Sequence, residues 1–117
     1  MFSKIAGTSY HQEDIKKFAK EGMPVLIVEE PSEKYPYALG VYLNEGNIHL
    51  KIGFIPEKDK MGRQFNKDVV DKIHRLGIIS SRIEKITDGG YGMLGVNIYV
   101  EFGDGSKSNK EMRKNEL

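Results

Sequence analysis

Near the end of the chain, Val96, Ile98, Val100 and Phe102 alternate with Asn97, Tyr99 and Glu101. A period of two matches the pleat of a strand that buries one face and wets the other, and no helix sorts side chains that way. The pattern recurs at Ile48, Leu50, Ile52 and Phe54, with His49, Lys51 and Gly53 between them and Pro56 closing the run. Half-buried strands of this kind belong to antiparallel sheets, so the fold must supply a core for one face of each.

The intervening segments are short. Phe2 to Ile5 reads as a strand leading into Gly7. Ser9 and Gln12 stand at capping-box spacing ahead of an apolar stripe at Ile15, Phe18 and Ala19, which predicts a helix stopped by Gly22. Pro24 opens the strand-length run Val25 to Val28. Glu29 to Tyr37, with Pro31 and Pro36, reads as a loop, Ala38 to Leu43 as a strand, and Asn44 to Asn47 as a hairpin turn around Gly46. Asn66 is placed to cap a second helix carrying Val69, Val70, Ile73 and Leu76 up to Gly77. Ile78 to Thr87 reads as a strand and Asp88-Gly89-Gly90 as a turn. From Gly103 the composition becomes polar, which predicts a domain over 1–103 and a flexible tail over 104–117. Short antiparallel strands with two inserted helices give an α+β domain, expected to be a small, partly closed antiparallel β-barrel.

A chain of 117 residues is the size of one domain. No run approaches the roughly 18 apolar residues of a membrane span. Met1 to Lys20 lacks the apolar stretch of a secretory signal, so a cytoplasmic protein without a membrane partner is expected. There are no cysteines, which excludes disulfides and cysteine-ligated zinc. The formal net charge of +1 does not by itself argue for nucleic acid. Lys58, Lys60, Arg63, Lys67, Lys72 and Arg75 outnumber Asp59, Asp68 and Asp71 in one stretch, which reads first as a solvated face and second as a phosphate-facing edge.

Catalytic groupings are absent. His11, His49 and His74 show no metal-binding spacing, and no nucleophile elbow or phosphate-binding loop occurs. Asp88 to Gly95 is glycine-rich but precedes a strand, as a hairpin turn does, and lacks the lysine of a phosphate loop. No enzyme, metal or cofactor is expected. The aromatics in turns are more informative. Tyr10 lies between strand and helix, Tyr35 and Tyr37 flank Pro36, and Phe54 and Tyr91 stand at strand ends, with Lys34 and Lys51 close by. Such rings can stack on nucleobases or serve as lids over a barrel end. For Phe54, alternation favours the core.

Three segments resemble the HIRAN domain: Ala6-Gly7-Thr8-Ser9-Tyr10; Val25 through Pro31 followed by Tyr35 to Tyr42; and Lys51-Ile52-Gly53-Phe54-Ile55-Pro56. They span residues 3 to 58. The resemblance implies a small OB-like barrel, found beside DNA-remodelling ATPases and alone in bacteria and phages, that captures the 3′-hydroxyl end of single-stranded DNA in DNA repair or processing. It implies a nucleic-acid site at Ser9, Tyr10, Lys34, Tyr35, Tyr37, Lys51 and Phe54, and a helicase-like ATPase as a protein partner. Pro36 stands where the family pattern has an Asp that can accept a hydrogen bond from the terminal hydroxyl, Tyr37 where it has Asn, and Glu29 where it has Arg. Those departures favour the alternative of a protein-interaction barrel that has lost DNA-end binding.

Overall fold

The computed structural model describes residues 1–104, so the predicted tail lies, from residue 105 onward, outside the described residues. The elements run β1 (Phe2–Lys4), a 3-10 turn (Thr8–Tyr10), α1 (Gln12–Phe18), β2 (Val25–Glu29), β3 (Leu39–Glu45), β4 (Ile48–Phe54), α2 (Asn66–Leu76), β5 (Ile78–Asp88) and β6 (Leu94–Phe102). They form an α+β domain with two antiparallel three-stranded sheets, ordered β1-β6-β5 and β2-β3-β4. The strand ladders do not join into a closed barrel. The sheets touch instead through isolated bridges at two places, Ala6 with Phe54 and Pro24 with Arg82.

Both sheets bury one face in a single core. Leu39, Val41, Leu43, Ile52, Ile83, Val96 and Ile98 are wholly inaccessible, joined by Ile5, Ile15 and Val69. The alternation in β6 is observed as read, with Val96, Ile98 and Val100 buried. Gly46 takes φ 58° in the β3–β4 turn, a conformation glycine adopts without steric cost. Among the described residues no helix is long and apolar enough to cross a membrane.

The capping box does not form. Ser9 sits exposed in the 3-10 turn, and α1 starts at Gln12 with no side-chain cap. Gln12 is recruited elsewhere. Its Nε2 donates to the carbonyls of Thr8 (2.9 Å) and Leu94 (2.8 Å), and its Oε1 accepts from the Leu94 N–H (2.7 Å). One amide therefore ties the start of α1 to the start of β6, satisfying backbone groups that the ladder leaves over. Gln12→Ala should lower stability by about 2 kcal/mol in urea unfolding, because three backbone groups lose their bonds at once. An unchanged midpoint would mean that water replaces the clasp.

Candidate functional site

Cross-strand partners in a sheet point to the same face, so register determines which side chains can meet. In the β3–β4 pair, Tyr42 faces Lys51 but Val41 faces Gly53, which leaves Ile52 as an extra residue on β4. This bulge reverses the alternation beyond it. Ile52, Gly53 and Ile55 turn inward, while Phe54 turns out and is 42% exposed. The core assignment of Phe54 is thereby corrected. Its register partner is Gly40, and Gly40, Tyr42, Lys51 and Phe54 share the outer face of the second sheet.

On that face lies a cleft of about 500 Å³. The β2–β3 connection contributes Glu30, Ser32 and Tyr35, the sheet contributes Gly40, Lys51 and Phe54, and Glu57 from the β4–α2 loop and Asn66 at the start of α2 complete it. Tyr35 is held by its own N–H, which donates to the Ser32 hydroxyl at 3.0 Å, and Lys34 sits with its ammonium 5.4 Å from the Tyr35 ring centroid. The Phe54 ring reaches Gly7, where an added Cβ would come within 2.4 Å of a ring carbon.

Three residues nominated from the sequence, Tyr35, Lys51 and Phe54, thus line one cleft, with Lys34 against the first of them. Ser9 and Tyr10 are not in its lining. They follow Gly7 in the 3-10 turn, both exposed, and connect to the cleft through the Phe54 ring. Tyr37 faces away, half-buried against the core with the Lys67 ammonium 5.7 Å from its ring.

The charge at the centre is organised by Glu30, a residue the sequence reading passed over. Its carboxylate accepts from Lys51 Nζ at 2.8 Å and from the Tyr42 hydroxyl at 2.5 Å. Room for it comes from Gly40, where a Cβ would lie 1.9 Å from Glu30 Oε1. A glycine inside a strand marks a close approach, and that was the legible signal. The Lys51 hydrogen bond, followed by that of Tyr42, holds the Glu30 carboxyl below its ordinary range, and the same carboxylate raises the Tyr42 phenol. Because the folded value for Glu30 lies below the unfolded one, its contribution is present above about pH 4.5 and fades as pH falls through the lowered value. Thermal melts of Glu30→Gln and wild type should therefore converge in acid. A gap unchanged into acid would assign the difference to packing.

Asn66 was expected to cap α2. It is instead the first helical residue, preceded by Phe65, with no side-chain cap bond. It is 6% exposed, and its Oδ1 is sealed from water without a hydrogen-bond donor. His74 approaches the Glu29 carboxylate at 2.8 and 3.0 Å, and neither side chain lines the cleft. Among the described residues no three His, Asp or Glu side chains gather as a metal site. No protein-family model, curated protein or solved structure matches this chain.

Proposed function

We propose that this protein is a non-catalytic nucleic-acid-binding module of HIRAN type, whose cleft receives the end of a single strand. The observation that carries this reading is the convergence of Tyr35 and Phe54 on one cleft with Lys51 between them in the lining and Lys34 beside Tyr35. Two half-exposed rings offer π-faces to bases, and the lysines offer charge to the backbone. The bridges at Ala6–Phe54 and Pro24–Arg82 support describing the two sheets as a partly closed, OB-like barrel. Where the family has an Asp to accept from a terminal hydroxyl, Pro36 has no acceptor; Glu30 and Glu57, both in the lining, are the carboxylates that remain.

Fluorescence anisotropy with short labelled strands, ending in a 3′-hydroxyl or a 3′-phosphate and measured at two salt concentrations, tests this. Binding should favour the free hydroxyl and weaken with salt, with a slope of about −0.7 in log K against log salt for each phosphate neutralised. No binding at low salt would sink the nucleic-acid reading.

Release of Lys51 should strengthen the interaction. Glu30→Gln removes the carboxylate that engages this lysine, so strand affinity should rise and the salt slope should steepen by about 0.7. Unchanged affinity and slope would show that Lys51 does not meet a phosphate.

A second reading, capture of a peptide or a larger protein partner such as a helicase-like ATPase, has its own support. Lys51 is engaged by Glu30, and Glu57 has no cation partner among the described residues, so the interior of the cleft is not basic. Peptide binding that persists at high salt, without strand binding, would favour it.

A further inference from the structure

Glu57 and Asn66 both line the cleft, and the segment between them is an ordered hairpin built on one carboxylate. Lys58 pairs with Gln64 in an isolated antiparallel bridge, and the Phe65 N–H closes the base by donating to the Glu57 carbonyl at 2.7 Å. At the tip, Gly62, with φ 78°, donates its N–H to the Asp59 carbonyl at 3.0 Å. Asp59 Oδ1 accepts the N–H groups of Met61 and Arg63, both at 2.9 Å, while Oδ2 accepts from Arg63 Nε at 3.1 Å.

This order serves no core. Lys58, Lys60, Met61, Arg63 and Gln64 are all exposed, and none belongs to the apolar cluster. Fixing a surface loop costs conformational entropy, and burial does not offset it here. The hairpin instead holds Lys58, Lys60 and Arg63 on a short tip. Among the described residues Lys58 and Lys60 have no ion-pair partner, and Arg63 uses Nε alone on Asp59, so its two terminal nitrogens stay open. The basic stretch that reads first as a solvated face thus begins with a fixed arrangement of positive charge beside the cleft.

A cleft of about 500 Å³ admits a ligand of drug size, not a strand. The nucleotides that follow a captured end must cross its rim, and their phosphates attract cations. The cleft interior supplies few, since Lys51 is engaged by Glu30 and Glu57 adds a second carboxylate. Resting on the strand-end reading above, we propose that the hairpin at 58–64 is a phosphate clamp, in which Lys58, Lys60 and Arg63 hold the backbone of the strand as it leaves the cleft. Asp59 is a positioning residue, an acid whose role is to set out the cations. Charges held in place lose less entropy on binding than the same charges on a free loop.

Anisotropy with a labelled strand of about ten nucleotides, titrated with salt against the full chain and its variants, tests this. The Lys58→Ala/Lys60→Ala double variant should flatten the salt slope by about 0.7 for each phosphate released and weaken binding about tenfold at low salt. Asp59→Ala gives the sharper sign. It removes a negative charge, so charge alone predicts tighter binding to a polyanion. Loss of the clamp predicts binding weaker by roughly threefold or more, an unchanged melt, and faster hydrogen exchange at the Met61 and Arg63 amides. Binding by Asp59→Ala as tight as wild type or tighter, or amides still protected, would overturn the role of Asp59. An unchanged slope in the double-lysine variant would overturn the clamp and leave strand capture by the cleft intact. Salt-sensitive binding of a labelled oligoglutamate in preference to the strand would overturn it in favour of an acidic peptide. No wild-type binding to any strand at low salt would remove both the clamp and the strand-end reading.

Discussion

Alanine at both Tyr35 and Phe54 should reduce single-strand affinity by at least thirtyfold while leaving the domain folded. Loss of an aromatic stacking partner typically costs ~1–3 kcal/mol per base, so two rings together account for about 2–6 kcal/mol if their effects add. Both side chains are roughly half exposed, at 49% and 42%, and neither belongs to the buried cluster of Leu39, Val41, Ile52 and Ile98. Anisotropy measures the binding, and a circular dichroism melt of the double variant establishes that the fold persists. Tyr10→Ala belongs in the same series. Its ring is 86% exposed and outside the cleft lining, so a loss there would extend the binding surface past Gly7. Undiminished binding by the Tyr35/Phe54 double variant would exclude the cleft as the place where strands bind.

The largest effect on stability is expected at Gly53. A methyl group there would lie 2.3 Å from Ile5 Cγ2 and 2.4 Å from the Ala6 carbonyl oxygen. That oxygen accepts the Phe54 N–H at 3.0 Å, and Phe54 in turn accepts the Ala6 N–H at 2.9 Å. Gly53→Ala thus pushes apart one of the two bridges that connect the sheets, at a point where a backbone atom, not a flexible side-chain end, must give way. A loss of about 3 kcal/mol is expected, with a fall in Tm of roughly 10–20 °C for a domain of this size. Gly40→Ala makes a useful contrast. The nearest obstacle there is the carboxylate end of Glu30, which can swing aside, so the ion pair with Lys51 should break while the fold survives. A Gly53→Ala melt within a few degrees of wild type would show that the close approach relaxes without strain.

The site was legible in proportion to how local its causes are. Tyr35, Lys34 and Lys51 were visible as aromatic and cationic residues near turns, and they do meet in or beside the cleft. Tyr37 carried the same signal but packs against the core, because it lies in the turn ahead of β3, where strand alternation does not assign a face. Glu30 left only an indirect trace at Gly40, since its partners Tyr42 and Lys51 lie on two other strands. Asn66 was visible as a helix-start residue, but the geometry of Phe65 took the cap position and left the amide buried.

Periodicity and turn chemistry, which act within a few residues, were enough to determine the strands around Leu50 and Ile98, the turn at Gly46 and the helix ending at Gly77. They also determined that the chain would build antiparallel sheets around one apolar core. The tertiary structure alone decided that Gln12 clasps Leu94 instead of capping its helix, that the two sheets meet through bridges at Ala6–Phe54 and Pro24–Arg82, and that Phe54 leaves the core for the cleft. The reason is the same in each case. A bulge, a clasp or a bridge is a relation between two segments far apart in the chain, and alternation within one strand carries no record of the residue that its neighbour leaves unpaired.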